Sequence, residues 1–273
     1  MRNSKTTLWL SVLVAILVLL ASGAGLLLTS TYARETTPWA IQAVAQDSAN
    51  LVSVAVLVIA AYFVYKGSFR ALLVWMGALL TLLYAYVIYA FAAHFNSLFF
   101  VYVAIVGLSF YTFLSSVLGL HTDPLQSDLV AVTKARVVSV YLLLVAVLFA
   151  FLWLSQDIPA ILAEKAPQSV TENGLLTNPV HVLDLGFYLP AMIITAILLW
   201  RRKFLGYFFA IPLLVFSILT GIGIIAIDVV TGMRGMPTSP GVDLFIAALS
   251  VVSLVLTVLY VREVQGQGDV SFA

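Results

Sequence analysis

Two residue types in this chain stand where side chains can hold a cation, exchange a proton or fix a polar solute: the histidines and the aspartates set in or against apolar runs. His181 and Asp184 are three apart, so on a helix they share one face, and Tyr188 falls four beyond Asp184 on that same face. Imidazole beside carboxylate can bind a cation or pass a proton near neutral pH. His94, Asn96, Asp228, Asp243 and Asp47, with Asn50 close by, are expected at the same level of the fold. The candidate ligand-binding set is therefore His181, Asp184, Tyr188, His94, Asn96, Asp47, Asp228 and Asp243.

Each of these residues also has a plain structural role open to it. An Asp at a helix N-terminus caps free N–H groups and favours the helix dipole. Asp47, Asn178, Asp184 and Asp243 all lie near expected N-termini, whereas Asp228 lies near a C-terminus, where capping does not favour it. Three ligand chemistries suit the set: solute or ion binding, a metal held by His94, His181, Asp184 and Asp47, and a haem held by His94 and His181. The chain has three His, at 94, 121 and 181, and no HExxH pattern, so no metal or cofactor is assigned. With no Cys, thiol nucleophiles, disulfides and thiolate-held clusters are excluded. No GxSxG or Walker pattern is present, so no catalytic residue is assigned either.

The elements that must position these groups are set by composition. The chain is 63% hydrophobic and 9% charged, with a mean hydropathy of +1.11. Soluble domains carry about 25% charged residues. Lipid must be the solvent for much of this surface, which implies an all-α, polytopic transmembrane bundle. A net charge of +1 gives no reason to expect a nucleic-acid partner; the bilayer, and a small solute or ion, are the expected partners.

A spanning helix needs about 20 apolar residues. Eight runs qualify: Leu8–Leu28, Leu51–Tyr65, Ala71–Phe91, Leu98–Leu120, Val137–Leu154, Val182–Trp200, Phe204–Ile227 and Val242–Val261. Lys and Arg stay on the cytoplasmic side. With both termini cytoplasmic, ten of the thirteen cations fall inside, and only Arg34, Lys165 and Arg234 fall outside. Arg2, Lys5 and the small residues Ala21 to Ala24 have the outline of a signal peptide, but the apolar run continues to Leu28, longer than a signal core of about 7–15 residues, so an anchor is expected.

Between the runs, residues 30–48 and 155–179 read as loops, and Leu125, Leu129 and Val132 have the spacing of a helix lying on the membrane surface. Tyr84 is mid-span, where its hydroxyl needs a partner, and Pro190 and Pro212 should distort their spans. Ala21 to Gly25 is a small-xxx-small spacing suited to close helix approach. Asp47 to Lys66 and Asp184 to Lys203 are each 19 apart (66 − 47 and 203 − 184), which suggests a parallel repeat of two four-helix halves, 1–120 and 137–262, within a single membrane domain.

The segments YAFAAHFNSLFFVYVAIVGLS at 89–109 and TNPVHVLDLGFYLPA at 177–191, followed by the RRK turn, resemble a group of uncharacterised bacterial polytopic membrane proteins. The resemblance implies a multi-pass protein of a bacterial cytoplasmic membrane and no residue roles. Three functions fit the sequence: binding or transport of a small solute or ion through an outward-facing polar pocket, an enzyme acting on lipid or quinone near the outer leaflet, and a non-catalytic subunit of a membrane complex.

Overall fold

In the computed structural model, residues 4–119 and 132–264 are described, and among them all regular structure is helical. The expected surface helix at Leu125–Val132 and His121 fall on or beside the segment 120–131, outside the described residues. The helices are α1 (Ser4–Leu27), α2 (Thr37–Tyr65), α3 (Phe69–Ala92), α4 (Phe99–Leu118), α5 (Val132–Leu162), a single turn α6 (Gln168–Thr171), α7 (Pro179–Leu183), α8 (Leu189–Trp200), α9 (Phe204–Met233) and α10 (Pro240–Glu263). A π-helical turn, Asp184–Tyr188, joins α7 to α8, so 179–200 runs as one span. Eight helices are thus long and apolar enough to cross a bilayer. Their outer faces carry apolar side chains such as Leu20, Phe100, Leu144, Phe151 and Leu244, each more than half exposed, a surface that only lipid can cover at low cost. The chain is an integral, multi-pass membrane protein.

Two expected boundaries are corrected. The second span does not begin at Leu51 but at Thr37, with Thr36 accepting a hydrogen bond from Trp39 N–H and Pro38 in the first turn, where its missing donor costs nothing. Trp39 and Ile41 are buried in this added length of helix. The fifth span runs on past Leu154 to Leu162 and carries Pro159 inside it, which places Asp157 on a helix instead of in a loop.

The turns from α2 to α3 and from α8 to α9 are too short to join anything but antiparallel neighbours. Lys66-Gly67-Ser68 closes one, with Gly67 at φ +90, a left-handed value that favours Gly, and with Ser68 capping α3. Arg201-Arg202-Lys203 closes another, where Arg202 takes the left-handed position. Arg201 therefore matches Lys66, and Lys203 matches Ser68, so the equal 19-residue spacings do not join equivalent turn positions. The first four spans pack in a ring, α1 on α2, α2 on α3, α3 on α4 and α4 on α1. The last four do likewise, through α5 on α8, α8 on α9 and α9 on α10, with a lighter α10 to α5 contact. The two rings meet where α9 packs on α2 and α3. Gly77 permits the α3 to α9 approach, since a Cβ there would lie 2.6 Å from Val215 Cβ and 2.7 Å from the Pro212 carbonyl. At the basic end, Lys134 pairs with Glu263, and Arg70 Nε donates to the Val264 carbonyl at 2.8 Å.

Candidate functional site

The sixth span is where the local sequence departs from a regular helix. Asn178 caps α7 by accepting from Val180 and His181 N–H. Pro190 has no N–H to give the Gly186 carbonyl, and its ring crowds that carbonyl. The helix widens instead of breaking: Leu189 N–H reaches back five residues to the Asp184 carbonyl. The turn holds Asp184 and Tyr188 on the same wall, while α7 aims His181 toward α5.

Asp184 is 7% exposed and sits deep among apolar residues. Its Oδ1 accepts from Tyr84 OH at 2.9 Å, and its Oδ2 accepts from Trp153 Nε1–H at 2.8 Å. The mid-span Tyr84 hydroxyl thus has its partner in the opposite ring. No Lys, Arg or His among the described residues forms an ion pair with Asp184. A carboxylate accepts up to about four hydrogen bonds, so two donors leave capacity for a ligand.

Asp184 borders a cavity of about 230 Å³ enclosed by α3, α5, the sixth span, α9 and α10, with Gln46 of α2 at its edge. It extends from Val180 and Ile227, near the end opposite the basic turns, to Tyr141 and Ser217 in the middle of their helices. Its wall is chiefly apolar, which corrects the expected polar pocket; polar groups are few and localised. Tyr188 OH donates to Ser217 Oγ at 2.6 Å, since Ser217 gives its own proton to the Leu213 carbonyl at 2.9 Å. Phe216 sits between Tyr84 and Tyr188, with ring centroids 5.2 and 4.1 Å away. Thr220 Oγ1 and Ser250 Oγ are buried in this wall and make no hydrogen bond to the described protein. Buried hydroxyls without partners are costly, and a bound polar group would satisfy them.

His181 is 4% exposed, but its partner is not Asp184. Its Nδ1 faces Asp157 at 2.9 Å, and its ring stacks on Trp153 at 4.3 Å between centroids. Trp153 and Asp157 are four apart on α5 and meet the antiparallel sixth span one turn apart. His181 and Asp184 therefore share a face, as their spacing implies, but each takes its own partner. The His181–Asp157 pair lines a separate hollow beneath the 163–178 connection, with Asn178 and Leu185.

The remaining candidates are not drawn to the cavity. His94 is half-exposed and pairs through Nδ1 with Glu35 at 2.9 Å, in a clasp where Arg34 Nη1 also donates to the Phe95 carbonyl. Asn96 Oδ1 accepts from Leu98 N–H. His94 pairs with Glu35 and His181 with Asp157, and no group of three or more His, Asp or Glu that could hold a metal ion occurs among the described residues. Asp228 accepts from Ser239 N–H at 2.9 Å through Oδ2 and borders Asp243, an arrangement that ties the α9–α10 connection. Asp47 is a second buried carboxylate, 1% exposed, in the first ring. It lies ten residues into α2 and caps nothing, and Asp184, inside a continuous span, is likewise no N-cap.

Trp153, Asp157 and Tyr32 entered no site in the sequence reading. The usable signal was the i, i+4 pair Trp153 and Asp157, hidden because Asp157 fell past the end of the apolar run. No known protein family, curated protein or solved structure matches this chain.

Proposed function

We propose that the cavity binds a small solute with an apolar body and one cationic or hydrogen-bond-donating head, and that this binding serves transport or sensing at the membrane. The observation that carries the reading is Asp184, a buried carboxylate with two neutral donors and no ion pair among the described residues, on the wall of a chiefly apolar cavity. Charged groups at this depth usually face a bundle interior or a polar pathway. A ligand ammonium would supply the missing counter-charge, and Thr220 and Ser250 would meet further polar atoms. The cavity volume is below the roughly 300–1,000 Å³ usual for ligand pockets, which favours a solute of about ten heavy atoms. An acid–base enzyme working in this cavity is less well supported, because His181 turns to Asp157 and does not line it.

A thermal-shift panel on the detergent-solubilised full chain tests the reading. Phenethylammonium, benzylammonium and cyclohexylammonium are set against phenethyl alcohol, inorganic cations and short-chain quinones. A ligand at 100 times its Kd stabilises by about 2.7 kcal/mol. At roughly 2–4 °C per kcal/mol that is a rise of about 5–10 °C. The expected result is a rise with an ammonium, smaller with the alcohol and absent in Asp184→Asn. A rise that survives Asp184→Asn, or none with any ammonium, overturns the proposal.

A further inference from the structure

Asp47 is the most enclosed carboxylate among the described residues, and nothing in the solute site uses it directly. Its Oδ2 accepts from Tyr32 OH at 2.6 Å and its Oδ1 from Tyr89 OH at 3.1 Å. Tyr89 OH also reaches the Ala43 carbonyl at 2.8 Å. Tyr86 and Tyr102 close the cluster, with ring centroids 5.4 Å from Tyr89 in each case. The titratable groups facing Asp47 are therefore tyrosines alone: Tyr32 from the α1–α2 connection, Tyr86 and Tyr89 from α3, and Tyr102 from α4. On the α1 side Ser22 and Gly25 lie against Asp47, and on the α9 side Gly223 lies against Gln46. No Lys, Arg or His among the described residues pairs with Asp47.

A hydrogen-bonded chain leads from this cluster to the cavity. Gln46, on the cavity edge, donates through Nε2 to Asn50 Oδ1 at 2.9 Å. Asn50 Nδ2 donates to Ser22 Oγ at 3.4 Å, and Ser22 meets Tyr86 OH at 3.1 Å. Ser22 in turn lies against Asp47. The position of Gln46 is fixed from behind, since α9 approaches so closely that a Cβ on Gly223 would lie 2.8 Å from Gln46 Oε1. The groups on Asp47 itself are the hydroxyls of Tyr32, Tyr89 and Ser22; the amides of Asn50 and Gln46 follow Ser22 in the chain, which ends on the cavity wall.

We infer that Asp47 is a proton-binding site of this protein, linked to the solute cavity by Ser22, Asn50 and Gln46. The proton adds to a carboxylate oxygen of Asp47, and the tyrosine hydroxyl that donated to that oxygen turns to accept or to find another partner. A carboxylate buried in a bilayer without a cation is stable in its neutral form or with a counter-ion, and on the α1 side Asp47 is packed so closely that a Cβ on Gly25 would overlap its Oδ2. The link to the cavity rests on the cavity being a solute site; proton binding at Asp47 does not.

The experiment is infrared difference spectroscopy of the solubilised full chain between acidic and basic pH, in deuterium oxide, with no solute. A carboxylic C=O band that exchanges slowly is expected in wild type, lost in Asp47→Asn and kept in Asp184→Asn. A band unchanged in Asp47→Asn, or lost only in Asp184→Asn, overturns the assignment. If Asp47→Asn does not fold, Tyr32→Phe removes one hydrogen bond from the same carboxyl and is expected to move the band's frequency; an unmoved band overturns it. Gln46→Leu is expected to move the pH at which the band appears, and an unmoved midpoint overturns the link to the cavity. Because no solute is present, failure of the solute panel and failure here are separate results.

Discussion

Replacing Gly25 with Ala tests the Asp47 cluster from the opposite helix. A Cβ at Gly25 would overlap Asp47 Oδ2 and lie 2.8 Å from both Asp47 Cγ and Tyr32 Oη. The new methyl must displace the carboxylate or the tyrosine. Overpacking of this kind costs about 1–3 kcal/mol. At a pH where Asp47 is ionised, losing the Tyr32 hydrogen bond to the charged acceptor costs about 1.5–3 kcal/mol more. Ala in place of a helical Gly returns about 1 kcal/mol. The net is a loss of about 1.5–5 kcal/mol, or a fall in Tm of roughly 3–20 °C. The internal control is two residues away on the same helix. A Cβ at Gly23 meets nothing within 4 Å, so Gly23→Ala should raise Tm by roughly 2–4 °C. Both Tm values are read by fluorescence unfolding in one detergent. Asp47→Ala removes the atoms that the methyl strikes, so Gly25→Ala should cost at least about 1 kcal/mol less in that background. A Gly25→Ala variant that melts with wild type, or loses as much beside Asp47→Ala as alone, refutes the packing described for Asp47.

Tyr84→Phe leaves Asp184 with Trp153 as its one donor, so a loss of about 1.5–3 kcal/mol and a fall in Tm of several degrees are expected, measured as above. Deleting Gly186 removes the residue that the π-turn absorbs and forces Pro190 into a regular helix, where its missing N–H and ring clash cost about 3 kcal/mol, seen as a lower Tm and an altered environment for Trp153 in fluorescence. Gly186→Ala, whose Cβ meets nothing within 4 Å, should leave both readouts close to wild type or slightly improved.

The eight spans are legible because lipid-facing residues are apolar with little exception, so each helix writes its length into the sequence. Their ends are less legible where helix faces turn away from lipid. In α2 the residues Gln42, Gln46 and Asn50 recur every four positions, and they face Asn173, the cavity edge and Ser22. Read as hydropathy they end the apolar run at Leu51; read as one helical stripe they continue it, and Thr36 with Pro38 marks the true start. The same happens in α5, where Asp157 looks like a loop residue until His181 is seen opposite. Partners across the bundle are not legible at all: nothing in spacing joins Tyr84 to Asp184, 100 positions apart, or Tyr89 to Asp47.

The π-turn connects these findings. Counted from the turn caps, Asp47 is 19 residues before Lys66, and His181 is 20 before Arg201. Asn50 is 16 before its cap, and Asp184 is 17 before its own. The one-residue difference in each pair equals the residue that the π-turn absorbs. His181 thus stands opposite Asp47 and Asp184 opposite Asn50, at matching depths in the two rings. Each ring places a titratable group and a hydrogen-bonding group three apart on its second span. In the first ring the acid is sealed among tyrosines and the amide leads to the cavity; in the second the acid borders the cavity and the histidine points away to Asp157. Among the described residues only the second ring has the widened turn, and only there does a carboxylate line the cavity. The widened turn before Pro190 is therefore the local feature that sets a carboxylate on the cavity wall in one ring, while the other ring keeps its own carboxylate behind it.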